Sequence, residues 1–330
     1  MITEYPGLGR IPAHAINDFV ELDSAANGAW RNGRNGVQAI LTPLDRKVEF
    51  IVFEDRTLAH VKSALGYPAY YPLAKDNFEG PAVAVLMDLD GTSVHSEEFW
   101  IWIIEQSTAR LLDNPQFQLE QADLPHVSGH SVSEHLQYCV SKYCPDRTVE
   151  EARKHYFDIT HHELREIEAG RGRPGAFKPT PGLKEFLLEL KGRGILIGLV
   201  TSGLLEKAWP EILSAFRTLD MGDPLEFYDA IISAGHAIRK GQVGTLGELT
   251  PKPHPWLYAE TARVGLGLEY GRRSRIIGME DSGAGVVSVR LAGFSCIGVA
   301  GGNIAASGVR PLLRAEVNTL GDALPVILGQ

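Results

Sequence analysis

Cysteine is scarce in this chain, with Cys139, Cys144 and Cys296 the three in 330 residues. They make neither a zinc-ligand spacing nor an even disulfide set. Cys139 and Cys144 fall in one helix-like stretch, where ordinary buried packing is the expectation, and a reducing, cytoplasmic compartment follows from unpaired thiols. Basic charge is also in short supply. Against 41 Asp and Glu there are 32 Lys and Arg, for a net charge of −9. That balance argues against a nucleic-acid or anionic-membrane surface and leaves room only for a local basic site. No apolar run approaches the ~20 residues of a membrane span. The opening Met1-Ile2-Thr3-Glu4-Tyr5-Pro6 lacks the basic and apolar segments of a secretory signal, so none is expected. Internal repeats and low-complexity tracts are missing too. What remains is an ordinary globular composition, 44% apolar and 22% charged. The length suggests about two domains and a sizeable core.

Within this composition one segment stands out. The apolar run Pro81-Ala82-Val83-Ala84-Val85-Leu86-Met87 leads into Asp88-Leu89-Asp90-Gly91-Thr92. A short apolar run ahead of a glycine reads as a buried strand that delivers two acids to a turn. Carboxyl ends of strands are where open α/β sheets bind ligands. Carboxylates spaced i, i+2 suit a nucleophile or metal ligand beside a proton donor. Alone, the pentapeptide also fits a solvated helix-capping turn, and DxDG occurs in calcium loops.

Three more segments follow in order. Gly194 to Val200 is a second apolar strand, ending in Thr201-Ser202-Gly203. Lys252-Pro253-His254-Pro255 comes next, and Ser274 to Met279 then runs into Glu280-Asp281-Ser282-Gly283-Ala284-Gly285. Between them, strand-like Asp229–Ile232 and Ser295–Val299 alternate with helical patterns, such as the helix expected from Pro181-Gly182-Leu183 to Leu190. That alternation indicates a parallel sheet with right-handed crossovers. Residues 97–174 instead show helical periodicity over Glu97–Leu112, Ser131–Tyr143 and Glu150–Ala169. Residues 1–80 read as a small appended subdomain. Lys47 to Glu54 is expected as a strand and Thr57 to Leu65 as a short helix.

This ordered set of motifs over roughly residues 81–330 resembles the haloacid-dehalogenase-like (HAD) hydrolase superfamily. The likeness is greatest to its helical-cap subgroup of β-phosphoglucomutases and small-molecule phosphatases. The resemblance implies an α/β fold: a Rossmann-like parallel sheet core from 81–96 plus 175–330, an inserted α-helical cap at 97–174, and an N-terminal extension at 1–80. It also implies Mg²⁺, held by Asp88, the backbone carbonyl of Asp90, Glu280 and Asp281. Asp88 would attack phosphorus to give an aspartyl-phosphate, and Asp90 would protonate the leaving oxygen and then deprotonate water. Thr201 and Lys252 would meet the phosphoryl oxygens, with Gly91, Thr92, Ser202 and Gly203 in the phosphate-binding turns. In the cap, Val127 to Glu134 resembles a substrate-selecting loop, with His130 where a basic residue often stands. His161-His162 on the later cap helix reads as a solvated pair, since i, i+1 side chains do not share a face.

Departures from the family pattern matter as much. His95 stands where relatives commonly have Asp, and Trp100 where mutase relatives have His. Trp100 moves the reading from mutase to hydrolase. The stretch 235–250 is longer than in relatives and reads as a surface insertion, or as a loop bringing Arg239 or Lys240 to the substrate. The expected activity is therefore hydrolysis of a small phosphate ester in the cytoplasm, by a monomer or homodimer with no nucleic-acid or membrane partner. A sugar-phosphate mutase and a catalytically silent sensor or scaffold are the alternatives. A dehalogenase lacks the second acid that Asp90 supplies, and phosphonate-cleaving relatives replace it with a small residue.

Overall fold

The computed structural model describes residues 4–11, 15, 17–62, 68–127, 132–247 and 249–330. The chain begins with strands β1 (Glu4–Tyr5), β2 (Gly9–Arg10), β3 (Phe19–Glu21), β4 (Ala39–Pro43), β5 (Val48–Val52), β6 (Thr57–Lys62) and β7 (Pro68–Pro72). Then come β8 (Ala84–Asp88), β9 (Val94–His95), helices α1 (Glu97–Leu111), α2 (Val132–Tyr143) and α3 (Val149–Glu168), and β10 (Lys178–Pro179). The alternating part follows as α4 (Leu183–Gly192), β11 (Leu196–Thr201), α5 (Leu205–Leu219), α6 (Pro224–Phe227), β12 (Ala230–Ser233), β13 (His236–Arg239) and β14 (Gln242–Thr245). The chain closes with α7 (Trp256–Glu260), β15 (Ile276–Glu280), α8 (Gly283–Leu291), β16 (Ser295–Val299), α9 (Ile304–Ser307), β17 (Ala315–Val317) and α10 (Leu324–Leu328).

Two compact units emerge. The first joins residues 1–93, 180–205 and 221–330, and the second residues 94–179 and 206–220. The first is built on an eight-stranded sheet ordered β14-β13-β12-β11-β8-β15-β16-β17. From β12 to β17 every neighbour is parallel. β8 lies at its centre, and each of its residues is buried, as a strand covered on both faces requires. Beside it lies a five-stranded antiparallel meander, β3-β4-β5-β6-β7. Leu41, Phe50, Val52 and Val61 of the meander share one apolar core with Val286 and Val289 of α8 and Ile304 of α9. Burying a side chain of that size contributes about 1.5–3 kcal/mol. The Arg290 guanidinium at the end of α8 adds polar ties, donating to the carbonyls of Ala74 and Phe294 at 2.9 Å each.

The second unit packs α1, α2, α3 and α5 around Phe99, Ile103, Leu136, Tyr156, Phe177 and Phe216, all buried. The two-residue strands β9 and β10 pair where the chain enters and leaves it. Its polar hub is Asp123, whose side chain is 0% exposed. That carboxylate accepts from Tyr138 Oη and Lys142 Nζ at 2.6 Å, Tyr143 Oη at 2.5 Å and the Glu120 amide at 2.8 Å.

Three expectations need correction. Thr57–Lys62 is a strand, not a helix, because it pairs along its length with β5, His60 directly opposite Glu49. The helical unit runs over 94–179 rather than 97–174 and also takes in α5. In it, Lys207 sits 4.1 Å over the Trp100 ring, and Arg217 donates to the carbonyls of Ile167 and Glu168. Finally, the 235–250 insertion holds a hairpin of β13 and β14 that extends the sheet edge, so it is not a loop over the site. Register sets Ser233, at the carboxyl end of β12, opposite His236. Arg239 therefore lies towards the amino end of β12, away from the strand ends that carry the motifs. Lys240 pairs there with Glu226.

Burial works against ionisation of Asp123, but the bonds from Lys142 and the two tyrosines outweigh it and hold the carboxyl below the usual range. Stability from such a group is present above the unfolded-state pKa and lost as pH falls through the folded-state value. Asp123→Ala strands several donors and should cost about 3 kcal/mol at neutral pH. Urea titration is expected to show that loss, and to show it shrinking in acid below the ordinary Asp range.

Candidate active site

Three parallel strands end at one edge of the sheet and carry the first acids and the hydroxyl. Register pairs Asp88 with Val200, one residue before Thr201, and Met87 with Met279, one residue before Glu280. Asp88, Thr201 and Glu280 therefore share a strand-end row, as the placement of ligands in open α/β sheets requires. Asp281 follows on the next residue. Lys252 arrives from the connection between β14 and α7.

These residues form one buried cluster. The Lys252 ammonium pairs with Asp88 Oδ1 and lies 2.6 Å from Glu280 Oε1. Glu280 Oε1 also accepts from Tyr258 Oη at 2.5 Å, and its Oε2 accepts from Ser282 Oγ at 3.0 Å. Carboxylate oxygens of Asp88, Glu280 and Asp281 all lie within 4.8 Å of one another. Burial, and then Glu280 and Asp281, push the Asp88 pKa well up, against the pull of Lys252. Burial and Glu280 likewise raise Asp281 to about 7. For Lys252, burial acts downward, but Asp88 and Glu280 outweigh it and hold the ammonium protonated.

Three buried carboxylates facing one ammonium leave negative charge without a counterpart, which is costly in a low-dielectric site. The donor set is all oxygen, the chemistry of a hard divalent cation such as Mg²⁺, so the residues fit that ion. They do not fit it equally. Both Glu280 oxygens already receive protein donors, whereas Asp281 is held by backbone shape. A Cβ on Gly91, whose φ is +84°, would fall 2.1 Å from Asp281 Oδ2, and one on Gly302 would fall 2.3 Å from the same atom.

The phosphate-turn residues spread more widely. Thr201 is 2% exposed, and its Oγ1 accepts from the Gly203 amide at 2.9 Å, leaving its hydroxyl proton to donate elsewhere. Ser202 is exposed, and its Oγ accepts from the Lys252 amide at 3.3 Å. Gly203 is fixed by Ser233, which donates to its carbonyl at 2.7 Å. Asp90 is exposed and Gly91 half-buried. Thr92 is wholly buried, with an Oγ1 that has no hydrogen-bond partner among the described residues, so it lies inside the core rather than on an open ligand surface. His130 lies outside the described residues. His95 is exposed in β9, ahead of the α1 cap Ser96, and Trp100 belongs to the helical unit.

Sequence reasoning missed Tyr258, Gly285 and Gly302. Tyr258 is 0% exposed, and nothing local marks it as the donor to an acid 22 residues away. A Cβ on Gly285 would fall 1.9 Å from the Glu280 carboxyl carbon. A glycine three to five residues beyond an acid pair was the available signal.

The haloacid dehalogenase-like hydrolase family model matches residues 85–240. Over that segment, just under half of its length, the chain is similar to that superfamily. Its fold is shared by CbbY of Rhodobacter sphaeroides in complex with phosphate, 17% identical, covering 76% of this chain and 100% of that one at a TM-score of 0.51. A predicted phosphoglycolate phosphatase of Haemophilus somnus is 18% identical, with coverage of 75% and 98% and a TM-score of 0.54. A HAD-superfamily hydrolase of subfamily IA from Geobacter sulfurreducens is 14% identical, with coverage of 76% and 99% and a TM-score of 0.54. No curated protein matches the chain. No helix among the described residues is long and apolar enough to cross a membrane.

An acid whose folded-state pKa is raised keeps its proton in the native state after the unfolded chain has lost it. Stability therefore falls as pH rises between the ordinary Asp value of 3.8 and about 7. Metal-free protein should lose stability across that window, and Asp281→Asn should make the slope shallower. Denaturant titrations in EDTA read both slopes.

Proposed function

We propose that this hydrolase is a Mg²⁺-dependent phosphomonoesterase that works through an aspartyl-phosphate on Asp88 and acts on a small phosphorylated metabolite. The observation that carries the reading is the Lys252 ammonium bridging Asp88 and Glu280, with Asp281 beside them, at the carboxyl ends of parallel strands. Asp88, Asp281 and the Asp90 carbonyl would hold the metal, with Glu280 reaching it through its network rather than directly. Bound there, Mg²⁺ supplies the positive charge that keeps Asp88 ionised and offsets the phosphate oxygens.

The chain's own groups do the rest. Asp88 attacks phosphorus with one oxygen as the ester oxygen leaves. Asp90, exposed and two residues on, gives its proton to the leaving oxygen and then takes one from water. Thr201 and the Ser202 backbone hold the transferring oxygens, and Lys252 faces them with its charge. Catalysis of phosphoryl transfer is mostly such positioning and charge. Free, buried cysteines agree with a reducing cytoplasmic setting. The phosphate named in the Rhodobacter structure is an oxyanion of the kind this arrangement would receive.

Mutase chemistry is the second reading, and Trp100 weighs against it. A mutase must shield its phospho-enzyme from water until a second hydroxyl arrives. The family His that couples closure to proton transfer is replaced by an indole that can only donate. The intact acids, Thr201 and Lys252 weigh against a silent scaffold.

Asp88→Asn should abolish Mg²⁺-dependent hydrolysis of p-nitrophenyl phosphate while preserving the far-ultraviolet spectrum; retained turnover would remove the assigned nucleophile. Asp90→Asn should impair alkyl phosphates more than aryl phosphates, because only poor leaving groups need the proton. Equal losses would remove the acid role. Followed by ³¹P NMR, sugar phosphates should release inorganic phosphate stoichiometrically, and isomerised ester forming faster than free phosphate would restore the mutase.

A further inference from the structure

The N-terminal meander reaches the motif lysine. Tyr71, on edge strand β7, places its hydroxyl 2.9 Å from Nδ1 of His254, two residues beyond Lys252. Its ring packs edge-on against His254 at 5.8 Å and Trp256 at 5.9 Å. The hydroxyl and the imidazole nitrogen thus share one hydrogen bond between the meander and the lysine loop.

His254 is 3% exposed, and its backbone is fixed on both sides of the ring. Its amide donates to the Pro251 carbonyl at 3.1 Å, and its carbonyl accepts from Ser288 Oγ of α8 at 2.6 Å. Lys252 itself is tied at its amide to Ser202. The loop carrying the ammonium is therefore held by β11, by α8 and, through Tyr71, by a sheet that precedes every family motif. The family model spans residues 85–240, so Tyr71 precedes the match, and Lys252, His254 and Ser288 follow it.

We propose that Tyr71 is a positioning residue for Lys252, acting through His254, and that the N-terminal sheet is part of the catalytic apparatus. The inference rests on the reading of Lys252 as the charge that faces the transferring phosphoryl group. Groups that orient a charged side chain through hydrogen bonds act on turnover more than on ground-state binding when the charge works chiefly in the transition state.

The test uses the full-length protein. Tyr71→Phe keeps the ring and removes only the hydroxyl. It is expected to lower kcat on p-nitrophenyl phosphate roughly 3- to 10-fold with KM within about twofold, and to add no further loss in a Lys252→Ala background, since non-additivity marks residues acting as one unit. Equal fractional losses in the wild-type and Lys252→Ala backgrounds, or a wild-type kcat in Tyr71→Phe, would overturn the proposal. A second measurement does not need turnover. In protein labelled at the lysine ε-carbon, the resonance that disappears in Lys252→Ala should shift in Tyr71→Phe. If wild-type protein hydrolyses no phosphate ester, the functional reading fails while that resonance still decides the link. An unmoved Lys252 resonance would end the proposal.

Discussion

The buried Lys252 ammonium, shared between Asp88 and Glu280, is the contact on which the rest of this unit depends. Charges removed from water cost several kcal/mol each, and the cost is offset only when geometry supplies every partner. Much of the surrounding structure supplies them. Parallel register brings the ends of β8 and β15 side by side. Tyr258 and Ser282 donate to Glu280, one at each carboxylate oxygen. Gly285 leaves the space that the Glu280 carboxyl fills. Two adjacent acids thus stand differently: Glu280 anchors the lysine, and Asp281 packs against the backbone at Gly91 and Gly302.

That anchoring explains why an antiparallel meander belongs in the same compact unit. A loop bearing a buried cation cannot drift without exposing two carboxylates to an apolar surrounding. The β7–α7 contact of Tyr71 with His254 and Trp256 restrains it on one side, and α8 restrains it on the other. Because α8 begins just after the acid pair and ends at Arg290, which grips the carbonyls of Ala74 and Phe294, one helix links the metal-fitting acids to the N-terminal segment.

The strands ending at Asp88, Thr201 and Glu280 were legible because each is a short apolar run closed by polar residues, and their order carried the family likeness. The helices Glu97–Leu111 and Val149–Glu168 were legible from period alone. Thr57–Lys62 was not. Its His60 breaks the apolar pattern, and only the cross-strand partner Glu49, 2.8 Å away and itself buried, makes that residue acceptable in a strand. The roles of Tyr71 and Tyr258 were hidden for the same reason. A hydrogen bond spanning 183 residues leaves no trace in local spacing. The choice between a surface insertion and a substrate loop at Lys240 stayed open because sequence cannot say at which end of a sheet a hairpin turns.

Asp88 and Asp90 stand two residues apart yet occupy opposite environments, and that contrast supports their proposed roles more than their spacing does. Asp88 is 6% exposed, in the company of two further acids. Burial raises its pKa and Lys252 pulls the other way, so under the proposed function Lys252 and a divalent cation would be conditions of its reactivity. Asp90 is exposed, within reach of solvent, as a residue proposed to serve first as acid and then as base must be. Under the proposed function, this difference in burial lets one strand end supply both a nucleophile and a proton shuttle. Leu89, 1% exposed between them, fixes the separation by anchoring in the core.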